Sequence, residues 1–387
     1  MESGNAPLTY GMVGGGKGSM IGDTHRIGAR IDGRFRLAAG ALDVVPERGQ
    51  AFARELGIEA ARAYPDWRTM LEAERARPDP VDLVTIATHN TSHHGIARAF
   101  LDAGFNVLCE KPLTTSVEDA VDLVRATRRA GTTCAVMYAY TGYPLVREMR
   151  AICRDGGIGR IRVIQAEFAH GGHAAADPDS THAGWRYDPS KVGPSSVLAD
   201  AGSHALHMMS WVTGLEAEEV SARFDSFVAG RTLEDNAHLT LAFEQGAVGT
   251  LWASGVAVGH AHGLRLRVYG ETGSLAWSQE DPNVLLHARL GEPLRILERG
   301  WGELHALSRV GERVSRGHAE GLLTAFANIY RDLAGLIAAR RQGQPPDPLV
   351  MTVPDVVEGA RGVATILAAV ASSKDRGAWT SCRLPEA

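Results

Sequence analysis

Residues Leu8–His25 read LTYGMVGGGKGSMIGDTH, and this stretch decides the fold. LTYGMV is a short apolar run of strand character. A cluster of glycines follows, and then a segment through HRIGARI with helical spacing. Gly14 and Gly16 supply the tight turn and the bare backbone that a dinucleotide pyrophosphate needs where a loop opens into a helix N-terminus. The usual third glycine is missing three residues later, so Gly22 takes that part only if KGSM lengthens the loop. A flexible surface turn is the competing reading. The position between a first strand and a first helix favours the phosphate cradle, with Lys17, Met20 and Ile21 beside the cofactor.

The pattern continues outward from this loop. FRLAAGAL, VDLVTIAT, NVLCE and TCAVMYA read as further strands, with helical segments between them. Strands that are continuous Val, Ile, Leu and Ala runs are buried on both faces, which predicts a parallel sheet. The expectation for residues 1–143 is therefore an α/β, Rossmann-type doubly wound domain. After Tyr143 the segments alternate polar and apolar residues and are joined by hairpin signals such as EQGA and GETGS. Residues 144–387 are expected to form an α+β domain with a large, open, mainly antiparallel sheet, closed by two long helices.

The totals agree with two globular domains. The chain has 387 residues, 44% hydrophobic and 22% charged, too long for one ordinary core. A net charge of −5 provides no basic footprint for nucleic acid or an anionic membrane. No apolar stretch reads as long enough to span a bilayer. The opening MESGNAPLTYG lacks a secretion pattern, so a cytoplasmic protein is expected. Cys109, Cys134, Cys153 and Cys382 have neither metal-ligand nor disulfide spacing, and no metal is expected.

The remaining strand ends carry the chemistry. Asp43 closes the second strand, where an acid bonds ribose hydroxyls and repels a 2′-phosphate; this favours NAD over NADP, although Arg48 stands close enough to blur the preference. A turn-forming Asp is the alternative. Thr88, Asn90 and His93 follow the third strand, and Glu110–Lys111–Pro112 follows the fourth. A lysine at the exit of a buried strand is seldom buried without a partner.

These features, with CEKPL at Cys109–Leu113, LADAGSH at Leu198–His204 and WRYDPSKVG at Trp185–Gly193, resemble the oxidoreductase family typified by glucose–fructose oxidoreductase and inositol 2-dehydrogenase (Gfo/Idh/MocA). The resemblance spans nearly the whole chain. It departs in the lengthened glycine loop and at His89, where a proline is usual. It implies an NAD-dependent oxidoreductase acting on a secondary hydroxyl of a sugar, inositol or related polyol. It implies cofactor contacts from Thr88, Asn90, His93, Glu110 and Lys111, and a cis bond before Pro112. It also makes Lys111 the donor to the substrate hydroxyl, His204 the proton acceptor, and Asp200 its partner or a hydroxyl ligand.

The residues themselves are consistent with this. Asp200 and His204 are four apart and His207 three further, so they share a face of a regular helix, and an Asp–His pair can orient a base. Substrate contacts are expected from Lys111, Tyr140, His170, Arg186, Asp200 and His204. Trp185 and Tyr187 either stack on a sugar ring or only pack the loop. His318 reads as the start of a helix rather than a substrate contact. His204 and His207 with His170, His173 and His182 are a weaker zinc alternative. Two rival functions remain: a glycosidase that uses NAD for transient oxidation and elimination, and a non-catalytic NAD(H)-binding regulator. The open sheet predicts a homo-oligomer, dimer or tetramer.

Overall fold

The computed structural model describes residues 6–175 and 184–385. Strands β1 (Leu8–Gly14), β2 (Phe35–Ala41), β3 (Leu83–Ala87), β4 (Asn106–Cys109) and β5 (Cys134–Val136) form one sheet in the order β2-β1-β3-β4-β5. Every pairing in it is parallel. β3 and β5 are buried at every residue, as their unbroken apolar runs require. The strand order reverses between β1 and β3, so the crevice at their carboxyl ends is the switch point at which α/β folds bind ligands.

The second sheet has nine strands: β6 (Ile161–Ala169), β7 (Ala217–Asp225), β8 (Asn236–Phe243), β9 (Val248–Ser254), β10 (Gly263–Gly270), β11 (Gly273–Ser278), β12 (Val284–Arg289), β13 (Arg295–Glu298) and β14 (Thr380–Ser381). Their order is β13-β12-β11-β10-β6-β9-β8-β7-β14. Only β6 and β9 pair in parallel. Alternating burial along β8 and β9 marks one face turned to the core and one turned outward. The helices Pro144–Arg154 and Ser203–Thr213 cover the inner face, where Leu145, Met149, Leu206 and Met209 meet Ile164, Leu241 and Leu266. β13 and β14 were not legible as strands, being four and two residues long.

The last two helices return from the second sheet to the first, and the later of them also packs on β7 of the second. From Leu322–Arg341, Phe326, Ile329 and Leu333 join Met12, Phe35 and Leu83. From Val356–Lys374, Val356, Ala360 and Val363 join Val124 and Val136. Contrary to the sequence-based expectation, both are long and apolar enough by length and composition to cross a bilayer; 56% and 61% of the relevant windows are buried inside the molecule, which makes them core helices here. Arg147 and Asp332, both fully buried, tie the helix Pro144–Arg154 to the helix Leu322–Arg341 with a 2.6 Å ion pair. The helix expected to open at His318 starts at Leu322, and His318 lies in the preceding loop. Cys109, Cys134 and Cys382 are buried and Cys153 partly so, all as free thiols.

Candidate active site

A cavity of about 1140 Å³ runs along the carboxyl ends of the parallel strands and on to the second sheet. Its floor is the glycine loop. Gly14 has φ +80°, and a Cβ there would lie 2.3 Å from the Ala87 carbonyl oxygen. A Cβ on Gly22 would lie 2.5 Å from the Gly15 oxygen. Gly22 is therefore the residue that permits close helix–strand packing, and the three-residue lengthening is absorbed by the turn before it. The helix Met20–Ile31 is capped by Ser19, whose Oγ accepts from the Gly22 N–H at 3.1 Å. Its N-terminus opens on the cavity, lined there by Gly14, Gly16, Ser19, Met20 and Ile21. Bare backbone and a helix N-terminus together fit a pyrophosphate. Lys17 lines the same wall, but its ammonium is paired with Glu55 at 2.8 Å.

Asp43 lines the cavity after β2. Arg48 forks onto it, Nε to Oδ2 at 3.1 Å and Nη2 to Oδ1 at 2.8 Å. The Arg48 hydrogen bond, opposed by partial burial and aided by the Val45 N–H, holds the carboxyl below its ordinary value. Arg48 itself is not part of the cavity wall; it braces Asp43 from behind.

The loops after β3 and β4 are tied to one another and to the second half. The Asn90 amide donates to the Val192 oxygen at 3.3 Å, and Thr91 Oγ1 to the Ser190 oxygen at 3.0 Å. Thr88 lines the cavity and accepts from Ser92 Oγ at 2.7 Å. His93 corrects the reading of a cofactor contact: it is fully buried, off the cavity wall, with Nδ1 2.9 Å from the Pro112 oxygen and Nε2 3.2 Å from the Thr88 oxygen. Burial pushes its imidazole below the ordinary value. It clamps the two loops together. His89, in the place of the usual proline, packs at 5.0 Å against Trp185. The Lys111–Pro112 bond is cis.

Lys111 reaches across the crevice. Its Nζ donates to Asp200 Oδ1 at 2.5 Å and to the Asp200 carbonyl at 2.9 Å. Asp200 Oδ2 accepts from Arg186 Nε at 2.9 Å. Burial works against the Asp200 charge, yet Lys111 and Arg186 hold its carboxyl well below the usual carboxylate range. Among the described residues no hydrogen bond joins Asp200 to His204. The wide turn Leu198–Gly202 precedes the helix Ser203–Thr213, so the regular winding assumed from the sequence does not hold between them.

His204 lines the cavity with Lys111, Asp200 and Tyr140. Tyr140, 5% exposed, packs edge-on against it at 4.8 Å. His204 Nδ1 is sealed from solvent without a hydrogen-bond partner among the described residues, which leaves Nε2 for the cavity. Burial first, then the Lys111 ammonium, press the imidazole well below its ordinary value, with Asp200 opposing. So lowered, the imidazole is neutral at ordinary pH. His207 faces away from this cavity: it stacks on Tyr138 at 4.0 Å and lies 3.5 Å from Glu358 on the wall of a separate cleft.

Beyond Asp200 the cavity is bounded by His170, His173 and His262, the first two 4.8 Å apart and His170 stacked on His262 at 5.3 Å. Burial, then the neighbouring His170, push His173 down to about 4. His262 was not singled out in the sequence, because nothing local distinguishes it, and His89 stood out only as a departure from the usual proline. Trp185 faces the cavity under Arg186, 4.7 Å away, whereas Tyr187 packs the loop through His173 and Arg231. Among the described residues no three His, Cys, Asp or Glu side chains gather as a metal site. His182, the remaining zinc candidate, lies outside the described residues.

Comparison with known proteins agrees with this geometry. Residues 8–138 match the family model described as oxidoreductase family, NAD-binding Rossmann fold, and residues 146–276 match the GFO/IDH/MocA C-terminal domain. The chain belongs to the Gfo/Idh/MocA oxidoreductases. Within that family it is 37% identical, over 96% of both chains, to the uncharacterized oxidoreductase YfiI of Bacillus subtilis. An inositol dehydrogenase homolog of Azotobacter vinelandii, solved with NAD+, superposes with a TM-score of 0.92 at 39% identity over 97% of each chain. The same homolog with NADH and myo-inositol has a TM-score of 0.90 at the same identity and coverage. A levoglucosan dehydrogenase of Pseudarthrobacter phenanthrenivorans is 27% identical over 70% of this chain and 74% of its own. As a Gfo/Idh/MocA protein the chain is an NAD-binding oxidoreductase.

Proposed function

We propose that this protein is an NAD-dependent dehydrogenase that reversibly oxidises a secondary hydroxyl of a sugar, inositol or related polyol. The observation that carries the proposal is the meeting of Lys111 from the nucleotide-binding half (1–143) with Asp200 and His204 from the other half (144–387) on one cavity wall. The substrate oxygen is placed between the Lys111 ammonium and His204 Nε2. Lys111 donates to that oxygen and stabilises the developing alkoxide. His204, kept neutral by burial and by Lys111, takes the hydroxyl proton on Nε2. Asp200 fixes the Lys111 side chain and, through Oδ2, the Arg186 loop. NAD, when bound along the glycine loop, supplies the hydride acceptor. The imidazoles of His170 and His173, both lowered by burial, are suited to hydrogen bonding with hydroxyls rather than to pairing with a charged substrate. Asp43 supports the choice of NAD over NADP. We place a second copy of the chain on the outer face of the nine-stranded sheet, forming a dimer or tetramer.

The test is a panel of inositols, aldoses, glycosides and anhydrosugars incubated with NAD+ or NADP+, followed by absorbance of the reduced cofactor. At least one polyol is expected to reduce NAD+ faster than NADP+. Aglycone release from glycosides without net NADH, and no turnover of any free polyol, would replace the proposal with the transient-oxidation glycosidase.

A further inference from the structure

Glu110 sits at the exit of β4, on the cavity wall beside Lys111 and only 6% exposed. A carboxylate taken out of water requires a cation or several donors. Its neighbour does not serve, because the Lys111 ammonium is turned to Asp200. Among the described residues the only ion-pairing group within reach of Glu110 is His25, with Nε2 3.0 Å from Oε1. Oε2 accepts the Lys111 backbone N–H at 3.1 Å.

His25 is fully buried, and its Nδ1 lies 2.9 Å from Tyr330 Oη, which lies 3.1 Å from Thr85 Oγ1. With Nε2–H donating to Glu110, Nδ1 accepts from the Tyr330 hydroxyl, and Tyr330 Oη accepts from Thr85. Both ring nitrogens and the Tyr330 hydroxyl are then hydrogen-bonded. So arranged, the four groups carry a single charge, that of the Glu110 carboxylate, in the wall of the cofactor cavity.

We propose that Glu110, held by His25 and Tyr330, makes the site select the oxidised nicotinamide, whose ring is cationic, over the reduced one, whose ring is neutral. This rests on the placement of the nicotinamide at the Lys111 end of the cavity under the proposed function. A charge in a low-dielectric wall discriminates between ligands differing by one charge far more than one in water does. The carboxylate thus adds binding free energy to NAD+ that NADH does not receive. It lowers the potential of the bound couple. A tenfold change in the ratio of the two dissociation constants corresponds to about 30 mV for a two-electron couple.

The experiment measures Kd for NAD+ by calorimetry and for NADH by fluorescence on the full chain, with no substrate present. The wild type is expected to bind NAD+ with a Kd no larger than that for NADH; a larger Kd for NAD+ overturns the proposal without any variant. Glu110→Gln is expected to raise Kd(NAD+)/Kd(NADH) about tenfold, and Glu110→Asp, which keeps the charge, to leave the ratio near the wild-type value. If Glu110→Gln weakens both forms equally, the residue only shapes the site and the proposal fails. Because no alcohol enters the assay, failure to find a polyol substrate leaves this result standing, and the reverse holds too.

Discussion

Replacing Lys111 with methionine tests the site most directly. Methionine keeps most of the stem that crosses the crevice but removes the ammonium that donates to Asp200. Loss of a positioned donor to a developing oxyanion costs about 2.7–4 kcal/mol, or roughly 100- to 1000-fold in turnover. Stability should change little. Asp200 keeps Arg186, and its side chain is 35% exposed, so water can take the vacated lone pairs. The second effect is on pH. After burial, Lys111 is the largest influence depressing His204. His204 must be unprotonated to accept a proton, so activity is lost as pH falls through its pKa. Without Lys111 that pKa rises, and the acid limb of the kcat profile moves to higher pH. The assay is NADH formation with the best polyol across a pH series. A variant within about tenfold of wild-type turnover, or one whose acid limb does not move, would refute the role given to Lys111.

Three further outcomes follow from the packing. Gly14→Ala combines a φ of +80° with a Cβ 2.3 Å from the Ala87 oxygen; it should cost about 1–3 kcal/mol of stability and weaken NAD+ binding, read by urea midpoints and calorimetry. Arg147→Met leaves the fully buried Asp332 with Arg331 alone; urea unfolding should show a loss of about 3 kcal/mol, the low end for breaking a buried pair. His305 is lowered by partial burial but raised overall by Glu148, 2.8 Å away, and by Asp155. A raised histidine stabilises fully below its unfolded value, about 6.5, and stops doing so as pH rises through the folded value. His305→Leu should therefore lower the urea midpoint at about pH 5.5 and have little effect at about pH 8.5; an equal deficit at both would assign the loss to packing instead.

The parts of this protein that sequence could reveal are those fixed by local pattern. The glycine loop, the five buried runs and the hairpins of the second sheet are each set by a periodicity or a turn chemistry within a few residues. CEKPL and LADAGSH marked the two walls of the proposed site through the family resemblance, as contiguous motifs. What escaped depends on long-range contacts. The Asp200–His204 spacing suggested a pair, but the wide turn at Leu198–Gly202 and the arrival of Lys111 and Arg186 gave Asp200 other partners. His93 read as a cofactor ligand because the resemblance implied it; its two carbonyl neighbours, Thr88 and Pro112, come from different loops. Lys17 is drawn off by Glu55, 38 positions away.

The helix Leu322–Arg341 has one more consequence. It threads Tyr330 into the floor of the first sheet and supplies the middle of the Thr85–Tyr330–His25 relay of hydrogen bonds. A fragment stopped near residue 143 would lack that helix, leaving His25 without its hydroxyl and the apolar surface of Phe35 and Leu83 open to water. The nucleotide-binding portion of this chain is thus completed by its own C-terminal region. An exchange of that portion between relatives would have to carry residues 322–341 along with it.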